Sequence, residues 1–197
     1  MKKIHLRNIT RYEPAILHFG EGIYLRDEKG RDWYEWREYF KPDTMKVLYD
    51  PRNQNMIAVM DREHYYLNPE GMSLVEVDMD DVPENYHQDG TWVFENGKII
   101  QSREIKEQVA RDIRNALLDN TDVLLLPHYT LGDKPLTKEL MAEICRVRQA
   151  LKELPTNPEF PDINVELPEF FFKLAVRHGF NPEWLERSAS FCPIIIK

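Results

Sequence analysis

The sequence predicts an α+β protein, with a mainly-β first half of short strands and hairpins and a helical hairpin module behind it. Three observations carry this. Residues 1–100 are short apolar and aromatic runs broken by Gly, Pro, Asn and Asp, the pattern of short strands joined by turns. Near residue 101 the apolar spacing changes from about two to about 3.6, the helical period. Hydrophobic content of 42% and aromatic content of 11% suffice for a core and exclude a disordered chain.

The stretch Arg31–Asp50, RDWYEWREYFKPDTMKVLYD, dominates the first half. Trp33, Tyr34, Trp36, Tyr39 and Phe40 are residue types that favour a half-buried pleated surface. Lys41-Pro42-Asp43 interrupts them with turn chemistry. Met45, Val47 and Tyr49 then alternate with Thr44, Lys46 and Leu48, as in a strand. The expectation is a hairpin or meander whose two strands both carry large aromatics. Around it, Ile23-Tyr24-Leu25 precedes a turn at Asp27–Gly30, and Asn53-Gln54-Asn55 precedes the run Met56–Met60. Trp92-Val93-Phe94 and Lys98-Ile99-Ile100 flank Asn96-Gly97, a pair suited to the positive φ of a type I′ hairpin. A loop-rich module with few paired strands is the alternative.

In the second half Ile105, Val109, Ile113, Ala116 and Leu117 share one helical face, and Ser102 is a suitable N-cap. A second helix is expected from Lys138 to Leu154. Thr137 caps it, Leu140, Ile144, Val147, Leu151 and Leu154 form its inner stripe, and Pro155 stops it. Cys145, beside that stripe, is expected in the core. Leu124-Leu125-Leu126-Pro127 is too apolar for a free linker and is expected to pack under the helices. Beyond residue 168, Phe170–Val176 forms a helix closed by Gly179. Asn181-Pro182-Glu183 starts another, and Ile194-Ile195-Ile196 is a last strand.

Charge narrows the function. The chain carries 34 acidic against 26 basic residues, a formal charge of −8. That argues against phosphate-backbone binding, which needs clustered Lys and Arg, so no nucleic acid is expected as partner. Two cysteines, Cys145 and Cys192, make no framework and fit a reducing compartment. MKKIHLRNIT has no apolar stretch after its lysines, so no ordinary secretory signal is expected. No run approaches the ~18 apolar residues of a membrane span. Catalytic fingerprints are absent, the histidines are scattered, and neither cofactor nor metal is expected. A hydrolase site assembled only in three dimensions is the weakest alternative. Glu63–Glu95 holds nine acids and no Lys or Arg. It reads as a solvated acidic loop, with a docking surface for a basic partner as the functional alternative.

Several motifs carry a family resemblance. Asp32-Trp33-Tyr34-Glu35, Pro42-Asp43-Thr44-Met45-Lys46 and Tyr49-Asp50 resemble the signature of phage tail fibre assembly proteins. In order, His5–Thr10, Asn68-Pro69-Glu70-Gly71, Val75-Glu76-Val77, Gly90–Phe94 and Asn96-Gly97-Lys98 extend the resemblance over nearly all of residues 1–100. Ile113–Leu118, Thr121-Asp122, Leu126-Pro127, Pro135-Leu136-Thr137, Arg148-Gln149-Ala150-Leu151 and Phe160-Pro161 resemble the phage tail assembly chaperone module. There Val123, Ile144 and Val147 replace aromatics that the family favours. The implied organisation is a fibre-binding domain, 1–100, a helical chaperone-like module, 101–168, and a C-terminal extension, 169–197. The implied role is that of a non-enzymatic chaperone in the host cytoplasm. It binds the distal C-terminal tip of a trimeric tail fibre and assists its folding and trimerisation. The alternative is a structural adhesin retained on the virion's fibre tip that contributes to receptor binding. Trp33, Tyr34, Trp36, Tyr49, Asn68, Glu70 and Trp92 are the candidate partner-binding residues, since Trp and Tyr make favoured interface anchors.

Overall fold

The computed structural model describes residues 3–187 and 194–197, so Cys192 lies outside the described residues. The chain divides into two compact units, Met1–Ser102 and Arg103–Lys197. The first contains β1 (His5–Leu6), β2 (Thr10–Tyr12), β3 (Tyr24–Arg26), a short helix α1 (Trp33–Trp36), β4 (Thr44–Asp50), β5 (Met56–Asp61), β6 (Ser73–Asp78), β7 (Trp92–Glu95) and β8 (Lys98–Gln101). Six strands form an antiparallel sheet in the order β1-β6-β4-β5-β7-β8, while β2 and β3 pair separately.

Period two puts apolar residues on both faces of the sheet. Leu48 and Leu74 pack with Leu6, Leu25, Trp33 and Phe40 on one face. Val47, Tyr49, Val75 and Val77 pack with Trp92 and Phe94 on the other. Strand β5 keeps this arrangement through a bulge: opposite Leu48 and Tyr49 its partners step from Val59 to Ile57, leaving Ala58 extra. Val59 therefore joins one face while Ile57 joins the other. The hairpin at Asn96-Gly97 forms with φ of 50° and 80°. Edge strand β1 is blunted, because Arg31 Nη2 donates to the His5 carbonyl at 2.5 Å and Glu28 N to the Arg7 carbonyl at 2.9 Å.

Two expectations for this unit need correction. The first aromatic run is helical: α1 continues into a 3₁₀ turn, Arg37–Tyr39, before the turn at Pro42-Asp43 and strand β4. Asp32 decides it, its Oδ1 accepting from Tyr34 N at 2.7 Å and Glu35 N at 3.1 Å. A satisfied N-cap outweighs a β preference that is largely one of packing. Nor is the acidic stretch one solvated loop, since its centre is β6 and Glu76 is buried. The Glu76 carboxylate accepts from Ile4 N at 2.9 Å, Lys41 N at 2.6 Å and Thr44 Oγ1 at 3.1 Å. Asp78 and Asp81 are exposed and pair with Lys3 at 2.8 and 3.1 Å.

The second unit contains α2 (Arg103–Thr121), β9 (Thr130–Leu131), β10 (Lys134–Pro135), α3 (Lys138–Glu153), β11 (Val165–Leu167), α4 (Glu169–Arg177), α5 (Glu183–Arg187) and β12 (Ile194–Ile196). Strands β9 and β10 pair antiparallel, and β11 and β12 parallel. Ile113 and Leu117 of α2, Ile144, Val147 and Leu151 of α3, and Phe171 and Leu174 of α4 share one core. Thr137 Oγ1 caps α3 by accepting from Leu140 N at 3.2 Å. Helix α4 ends as a Schellman motif: Gly179, at φ 104°, donates to Val176 O at 3.0 Å and Phe180 to Ala175 O at 2.9 Å.

Here too the structure corrects the reading. Cys145 is exposed, because one step of about 100° from Ile144 turns it off the inner stripe. Of the Leu124–Leu126 run only Leu124 is buried. The run lies at the end of a four-residue 3₁₀ helix, Asp122–Leu125, which directs one leucine inward and leaves Leu125 and Leu126 exposed. Arg148, on the inner side of α3, is buried and ties down the end of α2. Its guanidinium donates to Leu118 O at 2.6 Å, Thr121 Oγ1 at 2.5 Å and the Asp122 carboxylate. The motif residues Thr121, Asp122 and Arg148 thus form one clip between helices.

Candidate partner-binding surface

The seven sequence candidates go to different places within the first unit. Trp33 is buried on one face of the sheet, and Tyr49 and Trp92 on the opposite face. Asn68 and Glu70 belong to a turn that ends at Gly71, φ 76°. Asn68 Oδ1 accepts from Glu70 N at 3.3 Å, and Gly71 N donates to Ile9 O at 2.8 Å. Asn68 is exposed, and half-buried Glu70 pairs with Arg11, whose Nη2 lies 2.8 Å from Glu70 Oε2. Tyr34 and Trp36 are half-buried on α1, and two positions apart on a helix they point in different directions, each to its own aromatic neighbours.

Together these neighbours make an aromatic surface around α1, in one group about Tyr34 and another about Trp36. Asp32 caps α1 and also accepts from Tyr12 Oη at 2.6 Å, a bond that pushes the Tyr12 phenol up to about 12. The Tyr34 ring lies 5.6 Å from Phe19 and 6.1 Å from Tyr24, and its hydroxyl donates to Ile23 O at 3.0 Å. Trp36 lies 5.9 Å from Tyr39. Arginines stack across the rings: Arg31 is 4.7 Å from Trp36, and Arg37 is 4.9 Å from Tyr34 and 5.3 Å from Tyr65. Such contacts hold rings in place while leaving their outer faces free. Exposure is high where these rings meet solvent, at 65% for Tyr39, 56% for Phe19 and 50% for Tyr65. Ile16, Leu17 and Ile23 of the β2–β3 connection are also exposed.

Sequence reasoning missed Tyr39, Phe19 and the β2–β3 connection. The spacing of Asp32 and Glu35, a capping pattern, is the signal that could have placed the aromatics on a helix. Nothing in periodicity marks Ile16, Leu17 or Phe19 as exposed.

The opposite face of the same unit carries a polar concavity of about 960 Å³. His5, Asn8, Tyr49, Ser73, Phe94 and Asn96 contribute to its lining, so the separate motifs converge there. The His5 Nε2 and Tyr49 Oη lie 2.8 Å apart. Burial, with Arg7 and Arg31 adding to it, lowers the imidazole to about 4. Among the described residues no group of His, Cys, Asp and Glu could hold a metal ion. No helix among them is long and apolar enough to cross a membrane.

Comparison with known proteins connects these features. Residues 107–170 match the family described as phage tail assembly chaperone protein. The chain is 33% identical over 134 residues to the probable tail fibre assembly protein of Escherichia phage P2, covering 62% of this chain and 74% of that protein. It is 30% identical over 135 residues to tail fibre assembly protein U of Escherichia phage Mu, covering 63% and 75%. Tail fibre assembly protein U′ of the same phage is 31% identical over 120 residues, covering 57% and 66%.

Proposed function

The chain belongs to the tail fibre assembly proteins, and from that premise we propose that it is a chaperone for the distal C-terminal part of a trimeric tail fibre. The aromatic face around α1 is the docking surface in this reading. The observation that carries it is the set of exposed rings Phe19, Tyr39 and Tyr65, which contact Tyr34 and Trp36 of α1 and Arg37 of the turn behind it. Monomeric soluble proteins rarely expose contiguous apolar area of this kind without a partner. Tyr and Trp bury large areas at small entropic cost, which suits a surface that must cover apolar fibre segments.

The physical need is that of an intertwined fibre tip. Strands that pair between chains form slowly, and their edges and apolar residues are exposed until the trimer closes. A partner that covers them lowers the rate of aggregation. The activity is stoichiometric binding in the host cytoplasm, with no catalytic step and no cofactor. Trp33 supports the surface from the core beneath it, Tyr49 and Trp92 belong to the core on the opposite face of the sheet, and Tyr34, Trp36, Asn68 and Glu70 are accessible to the fibre. The polar concavity favours the alternative of a retained adhesin, since it offers a second face once α1 is occupied.

Co-purification tests the assignment. A tagged C-terminal fibre fragment retains the wild-type protein and loses a Trp36→Ala/Tyr39→Ala variant. Equal retention of the two proteins removes the aromatic face from the account.

A further inference from the structure

Beneath Trp36 and Tyr39 lie two buried charged side chains, neighbours on adjacent strands. Lys46 and Glu76 sit directly opposite each other on β4 and β6, and both are buried, at 0% and 2% exposure. Their bonds do not run along the sheet. Glu76 takes the backbone N–H of Lys41, the Thr44 hydroxyl and the N–H of Ile4. The Lys46 ammonium donates to the carbonyls of Lys41 at 2.5 Å and Thr44 at 3.1 Å. Four of these five bonds converge on Lys41 and Thr44, the two ends of the turn that connects the aromatic segment to β4. Glu76 also borders a cavity of about 530 Å³ whose wall includes Trp36 and Tyr39.

Buried charged side chains are weak evidence for stability, because apolar residues of similar volume often serve the fold as well. Here the pair spends its bonding capacity on one turn. We infer that Lys46 and Glu76 are positioning residues, which lock the Lys41–Thr44 turn so that Trp36 and Tyr39 meet the fibre in a preset geometry. This rests on the docking surface proposed above and assigns the buried pair a role in binding. Locking the surface removes its ordering cost from the encounter, so loss of the lock weakens binding more than it weakens the fold.

The test compares wild type with Glu76→Gln, Lys46→Met/Glu76→Leu and, as a control for the face, Tyr39→Ala. Each is measured as the full chain by thermal melting, by affinity for a C-terminal fibre fragment and by amide hydrogen exchange. In wild type the Lys41 amide is expected to exchange as slowly as the β4 amides of Val47 and Leu48. In Glu76→Gln it exchanges about tenfold faster while those amides keep their rates, and fibre affinity falls about tenfold. The double variant melts at or near the wild-type temperature and shows the same loss of affinity. Fast exchange of Lys41 in wild type overturns the lock without requiring any variant to fold. Unchanged affinity in a folded Glu76→Gln variant overturns the inference while leaving the face intact, provided Tyr39→Ala binds weakly. If Tyr39→Ala also binds as wild type does, the docking surface itself is lost, and the inference with it.

Discussion

His5 and His64 are both held below the ordinary imidazole range, chiefly by burial. His64 stacks 4.2 Å from Tyr65 and 5.2 Å from Phe40, and neither of its ring nitrogens has a hydrogen-bond partner among the described residues. A histidine whose pKa is depressed by folding favours the folded state when neutral. That contribution is complete above the unfolded value near 6.5 and is lost as pH falls towards about 4, the folded value of His5. For His5 it amounts to at most about 3 kcal/mol. Thermal midpoints of wild type should therefore drop between neutral pH and pH near 4, and His5→Gln should drop less. Parallel curves for the two proteins would contradict this. Arg148 offers a second test. Arg148→Ala removes the guanidinium donor from Leu118 O and Thr121 Oγ1 and should cost about 2–3 kcal/mol. Asp122→Asn alters a carboxylate that is 65% exposed and should cost under about 1 kcal/mol. Urea titration separates them, and equal midpoints would show that the clip does not hold α2 to α3.

At the scale of elements, the helices were legible because an amphipathic period survives tertiary context. Thr137 and Pro155 bracket α3, and Gly179 closes α4, where the sequence places them. The Asn96-Gly97 hairpin was legible because few residue pairs adopt its turn. Helix α1 was not, since Trp, Tyr and Phe prefer strands on average and a four-residue helix has no period to detect. Its cap makes it. Asp32→Ala should destabilise the first unit by about 1 kcal/mol through the lost cap. It also frees Tyr12, and the disordered α1 should bind a fibre fragment more weakly. Unchanged circular dichroism, melting and binding would show that the aromatic face does not depend on this cap. The binding candidates were legible only as residue types. Trp92 entered a core because strand pairing, which sequence does not fix at long range, placed it inward, and Trp33 because the helix capped by Asp32 turns it onto the sheet. Glu76 looked solvated because its partners, Ile4 and Lys41, are distant in the chain.

For the whole molecule, the chain belongs to the tail fibre assembly proteins. The second unit matches the tail assembly chaperone family over residues 107–170, and its α2–α3 hairpin is closed by residues of the matching motifs. The first exposes the aromatic face. The measurement that bears most directly on this account is the state of a fibre C-terminal fragment expressed with and without the protein. Sedimentation should show a soluble trimer only when the protein is present, and aggregate when the fragment is expressed alone or with the Trp36→Ala/Tyr39→Ala variant. A fragment that is equally soluble and trimeric without the protein would contradict the chaperone role.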